Sequence, residues 1–205
     1  MKTTKLLVCA VALSAALAAA KAQSQTLSAT LIEITPGAQV TGTFDNGNFT
    51  HTYPAGISHF AEFDAFCVDP LQDLSYGGTY VYQIQDPATL ANSDTIAKLV
   101  GGYLASAQTG DDAAAVQWAI WEITTELSGT QSLYTGNVRI ITPASETIAT
   151  LASQYLANVN SYTPVGLTYL TNPDHQDIVT WNVVPEPASV GLAAISGLLL
   201  LRRRR

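Results

Sequence analysis

The apolar residues of this 205-residue chain change period at Asp94, and that change constrains the fold more than any other feature. Before it, from Thr26 to about Tyr82, Thr, Val, Ile, Phe and Tyr dominate, punctuated at Pro36-Gly37, Asp45-Asn46-Gly47 and Gly77-Gly78. That is the pattern of short strands joined by tight turns. Asn46-Gly47 between residues 40–44 and 49–53 predicts a hairpin, because both residue types tolerate the positive φ of a two-residue turn. After Asp94, Ile96, Leu99, Val100, Tyr103 and Leu104 fall at helical spacing. A second helix is predicted from about Asp111 to Leu127, with Val116, Ile120, Ile123 and Leu127 as its stripe, Asp111 or Asp112 as its cap and Gly129 as its stop. A third begins at Thr142-Pro143 and carries Ile148, Leu151, Tyr155, Leu156 and Val159. Strands return at residues 137–141, 165–170 and 178–183. Strands, then helices, then a closing strand define an α+β domain: an antiparallel, β-rich sandwich or barrel-like unit with an inserted segment of two to three helices.

The two ends read as addresses rather than fold. Lys2 and Lys5 precede an apolar run over residues 6–20, and Ala20-Lys21-Ala22 has the small-x-small form of a signal-peptidase site. Residues 1–22 are therefore expected to be a signal peptide, discarded with Cys9. At the other end, Pro185-Glu186-Pro187 is followed by an apolar stretch over residues 188–201 and four arginines. Fourteen helical residues at about 1.5 Å each reach roughly 21 Å, short of the roughly 30 Å apolar core of a bilayer, which suits a transient anchor with its arginines on the cytoplasmic side. In its three parts and their order, this end resembles a PEP-CTERM sorting signal. The resemblance implies removal of residues 185–205 by an exosortase and delivery to the cell surface or extracellular matrix of a Gram-negative bacterium.

Between those ends, residues 23–184 form one domain, long enough to bury a sizeable core but too short for two ordinary ones. Lys98 and Arg139 are its only basic residues, set against fifteen acidic ones, a net charge of −13 with histidines neutral. A surface for phosphate or nucleic acid is excluded, whereas lysine-rich partners are attracted.

Chemistry centres on Cys67, the one cysteine left in the mature chain. In the run over residues 60–68, strand alternation puts Ala61, Phe63, Ala65 and Cys67 on one face and Glu62 and Asp64 on the other, turning the thiol inward. Taken alone, a buried cysteine is most often a small hydrophobe. Gln117 lies at the border of the second helix's apolar stripe, with Trp121 one turn later placed to roof its amide. Phe66-Cys67-Val68 together with Val116-Gln117-Trp118-Ala119-Ile120-Trp121 resembles the paired motifs of the thioester domains of bacterial surface adhesins. Those domains place a cysteine after an aromatic residue or leucine on a strand, and a glutamine in a hydrophobic-Gln-x-x-hydrophobic-Trp motif on a later helix.

That resemblance implies an internal bond between the Cys67 sulfur and the Gln117 side-chain carbonyl, formed with loss of ammonia and without a cofactor. An amine or hydroxyl of a partner surface would then attack the bond, and no catalytic turnover is implied. Phe66 and Trp121 are the expected shelter of the bond, with Phe63, Tyr80, Tyr82 and Trp118 as further aromatic candidates. Trp118 falls on the helix side opposite Val116 and Ile120, so it either packs on a second element or faces a partner.

Three other readings compete. A cysteine hydrolase would pair Cys67 with His51, His59 or His175 and orient it with Asp177, but no spacing selects among them. A calcium loop is not formed by the spacing of Asp64, Asp69 and Asp73. A non-covalent matrix or adhesive protein would leave Cys67 and Gln117 as passive core and border residues.

Overall fold

The structure, a computed structural model, describes residues 25–44, 47–126, 131–141 and 146–181. The two terminal addresses, the Asp45-Asn46 half of the hairpin turn, Leu127, Gly129 and the Thr142-Pro143 helix start lie outside them. In chain order the elements are β1 (Thr26–Phe44), β2 (Phe49–Phe60), β3 (Asp64–Cys67), β4 (Thr79–Gln85), α1 (Ser93–Leu104), α2 (Gly110–Thr125), β5 (Arg139–Ile140), α3 (Glu146–Asn158), β6 (Thr168–Thr171) and β7 (Ile178–Thr180).

All strand pairs are antiparallel. The order β2-β3-β7-β6-β4-β1 closes on itself because the long β1 pairs with β4 through its first residues and with β2 through the rest. The result is a closed six-stranded barrel, with β5 as an extra strand on the end of β1. Closure leaves those six strands without a free edge along their shared length. The β1–β2 register ends at Phe44 opposite Phe49, as the Asn46-Gly47 signal predicts, and Gly47 takes φ +90°.

Alternation along the strands sorts two apolar sets. Ala29, Leu31, Phe60, Phe63, Ala65, Tyr80, Tyr82, Leu170 and Ile178 fill the barrel. On the other face Val40, Phe44, Tyr53, Ala55, Ile57, Phe66 and Val179 meet the helices. β3 is thus covered on both sides, and it is shorter than the alternating run suggests: Ala61 and Glu62 form an exposed bend before it. The closing strands are likewise shorter than expected, at four and three residues.

α2 is the central helix, buried on nearly every face from Ala113 to Ile123. Its start is a correction to the sequence expectation. Thr109, not Asp111 or Asp112, is the cap: the Thr109 hydroxyl accepts the Asp112 N–H at 3.2 Å, while the Thr109 N–H donates to the Asp112 carboxylate at 3.0 Å. This reciprocal capping box fixes where the helix begins and so the rotation of every later side chain. Trp118 packs inward, stacked on Phe44 at 5.4 Å between ring centres, over Gly42. A Cβ at Gly42 would overlap the indole, so the close approach of α2 to β1 requires glycine there.

Candidate functional site

β2 and β3 separate at the point where Cys67 lies. Their last pairs are His59 opposite Asp64 and Ser58 opposite Ala65. Continuing that register would set Gly56 against Cys67. Instead, the side chain of Gln117 enters from α2 and takes the place of the missing strand partner. The Cys67 N–H donates to Gln117 Oε1 at 2.9 Å, and Gln117 Nε2 donates to the Cys67 carbonyl at 2.8 Å. The primary amide satisfies both backbone groups that the parting strands would leave orphaned, and buried orphans of this kind are rare. Gln117 is 2% exposed. Helical spacing alone makes it a border residue; the enclosure of α2 on almost all sides is what buries it.

The geometry therefore holds the Gln117 amide against the backbone of the very residue that bears the thiol. The thiol is free and buried, and it donates to the Asp69 carbonyl at 3.0 Å. Burial pushes the Cys67 thiol far above its usual range, and the nearby Asp69 and Asp177 carboxylates push the same way. The Trp121 indole N–H lies close enough to the sulfur to favour the thiolate, yet among the described residues it makes no well-aligned hydrogen bond to an acceptor. Its donor thus stands uncommitted beside the thiol.

Cys67, Gln117 and Trp121 line a cavity of about 60 Å³ together with Ile34, Tyr53, Pro54, Gly56, Ser58, Asp73, Leu74 and Gln176. It sits where the parted strands meet α2. Tyr53 stands beside Trp121 with ring centres 5.4 Å apart, and its hydroxyl donates to the Pro70 carbonyl at 2.6 Å, tying the β3–β4 connection to β2. Burial, and after it the charge of Asp73, pushes that hydroxyl up to about 12.

Of the two shelter residues expected, Trp121 lines the cavity and Phe66 does not. Consecutive strand residues point to opposite faces, so Phe66 instead packs against Tyr103 and Trp181, at 5.6 and 5.3 Å between ring centres. Tyr53 occupies the place expected of Phe66, and no local pattern singles it out because its contact with Trp121 is made by sheet closure. Phe63, Tyr80 and Tyr82 belong to the barrel interior.

The histidines do not gather at the thiol. His59 Nδ1 meets Asp64 Oδ1 at 2.6 Å, His51 lies on Tyr53, and His175 meets the Tyr80 ring edge-on. Asp177 accepts hydrogen bonds from the Tyr169 hydroxyl and the Asn172 N–H. None of these four residues lines the cavity. Among the described residues, no group of three or more His, Cys, Asp or Glu side chains is placed to hold a metal ion.

Glu122 was also missed. It is fully buried on α2, accepts the Ser132 N–H at 2.7 Å through Oε1, and among the described residues leaves Oε2 without a partner. Burial raises its carboxyl to about 7, and Glu126 adds to the rise. Comparison with known proteins returned no matching family, no matching curated protein and no matching solved structure.

Proposed function

We propose that this is an exported bacterial surface or matrix protein whose Cys67 and Gln117 form an internal thioester for covalent attachment to an amine or hydroxyl of a partner surface. The single observation that supports it best is the pair of hydrogen bonds that fixes the Gln117 amide on the Cys67 backbone. Such positioning converts an encounter that is unfavourable in water into one with an effective molarity reaching about 10⁵ to 10⁸ M. In the forming step the Cys67 sulfur bonds to the Gln117 side-chain carbon, the carbon–nitrogen bond breaks, and the thiol proton leaves with the nitrogen as ammonia. The Cys67 N–H already points at Oε1, where negative charge develops, so it is the oxyanion donor. Opening by a partner amine joins that nitrogen to the Gln117 carbon and returns a proton to the sulfur. Export through residues 1–22, transient anchoring, and exosortase processing at Pro185-Glu186-Pro187 complete the proposal.

A second reading, a non-covalent matrix protein with a passive cysteine, is favoured by one feature. The oxygen and the nitrogen of the amide are each bonded to the Cys67 backbone and the thiol to Asp69, which is also how a purely structural peg would look. Treatment of the folded protein with methylamine, followed by peptide mass mapping, separates the two. The thioester reading predicts an adduct on Gln117 and a newly reactive Cys67, both absent from Cys67→Ala. Unmodified Gln117 after treatment of fresh, folded protein supports the passive reading instead.

A further inference from the structure

The cavity beside Cys67 and Gln117 is furnished with hydrogen-bond acceptors beyond those the bond itself needs. Ser58 and Gln176 line it while being only 2% and 7% exposed, and neither side chain is hydrogen-bonded to another group among the described residues. A hydroxyl and an amide that line a cavity in this way can bond to whatever enters it. Asp73, exposed to solvent at the rim, adds a carboxylate. The two basic residues of the domain lie elsewhere: Lys98 bonds to Asn160, and Arg139 sits on β5 against Gly47. The charged groups that influence the cavity, Asp69, Asp73 and Asp177, are therefore all acidic.

We infer that Ser58, Gln176 and Asp73 form the nucleophile subsite of the Cys67–Gln117 centre, and that they admit the end of a cationic primary amine in preference to an uncharged nucleophile such as a hydroxyl. The inference rests on the thioester reading and deepens it. A hydroxyl group brings one proton to be donated, whereas an ammonium brings three, matching a serine oxygen, an amide oxygen and a carboxylate. A space of about 60 Å³ holds a few waters or one aminomethylene end. Asp73 holds the ammonium at the rim, one of its protons is lost to solvent water, and the neutral amine then attacks the Gln117 carbonyl carbon. As the carbon–nitrogen bond forms, the carbon–sulfur bond breaks. The attacking nitrogen's second proton ends on the Cys67 sulfur.

The test compares two nucleophiles at one neutral pH and low salt: n-butylamine, which is cationic, and hydroxylamine, which is not. Opening is followed by intact mass. In Asp73→Asn the ratio of butylamine to hydroxylamine rates falls roughly ten-fold, and added salt narrows the gap between wild type and variant. Asp73→Glu recovers most of the ratio, and Ser58→Ala lowers it by a smaller factor. Asp94→Asn, which removes an exposed charge that does not line the cavity, leaves it unchanged. A wild-type ratio in Asp73→Asn with the mass deficit intact overturns the subsite and leaves the thioester standing. So does an equal slowing of both nucleophiles, which marks Asp73 as a support for the loop. A wild-type protein that carries no mass deficit overturns the thioester and the subsite together.

Discussion

Gln117 is held by the backbone of the residue it would acylate, and that arrangement has consequences for stability apart from any chemistry. Gln117→Leu leaves the Cys67 N–H and carbonyl buried without partners. At about 1–3 kcal/mol for each orphaned group, the variant is expected to lose roughly 3 kcal/mol or more in denaturant unfolding. A loss below 1 kcal/mol would mean that water reaches those groups. Glu122 makes a prediction of a different kind. Its carboxyl titrates near 7 in the folded chain against an ordinary 4.5, so the folded state holds the proton more tightly than the unfolded one. The stability it contributes is greatest below about 4.5, falls as pH rises through the interval, and is level above about 7. The drop is on the order of 3 kcal/mol. Glu122→Gln keeps an acceptor for the Ser132 N–H and removes the charge. The difference between variant and wild type should therefore shift in the variant's favour between pH 5 and pH 8. A difference that stays constant would show that Glu122 is hydrated.

At the scale of elements, α2 decides where Gln117 arrives, and two features decide where α2 lies. The Thr109–Asp112 box sets its first turn, so Thr109→Ala should cost about 1 kcal/mol, as measured by thermal or denaturant unfolding. Gly42 sets its distance from β1, and Gly42→Ala forces Trp118 off Phe44 at about 1–3 kcal/mol. The change of period at Asp94 was enough to separate strands from helices, and the cysteine and glutamine motifs were readable as short strings. Three things were not legible. Thr109-x-x-Asp112 is a capping signal, but the adjacent Asp111-Asp112 pair offers two equally good caps in the sequence. The enclosure of α2 depends on a barrel that closes only when β1 pairs with both β2 and β4, and no local pattern reports such distant pairing. For the same reason Glu122 and Tyr53 looked ordinary in the sequence, and Phe66 looked closer to the thiol's side chain than strand alternation allows.

For the whole molecule, a Cys67–Gln117 bond would join β3 to α2 across fifty residues of chain. Closing a loop of that length restricts the unfolded ensemble by about 4 kcal/mol on the chain-entropy account of cross-links. Protein opened by methylamine should therefore melt roughly 10 °C below the linked form, and the difference should vanish in Cys67→Ala. Equal melting temperatures for linked and opened protein would mean that the cross-link leaves the unfolded chain unconstrained. Whether the Cys67–Gln117 bond exists is read from the intact mass of freshly purified, folded mature protein before any nucleophile is added. The account predicts a mass lower than the sequence by one ammonia, restored to the full value in Cys67→Ala after allowance for the substitution. A full-mass protein whose peptide map returns glutamine, not glutamate, at position 117 would contradict it.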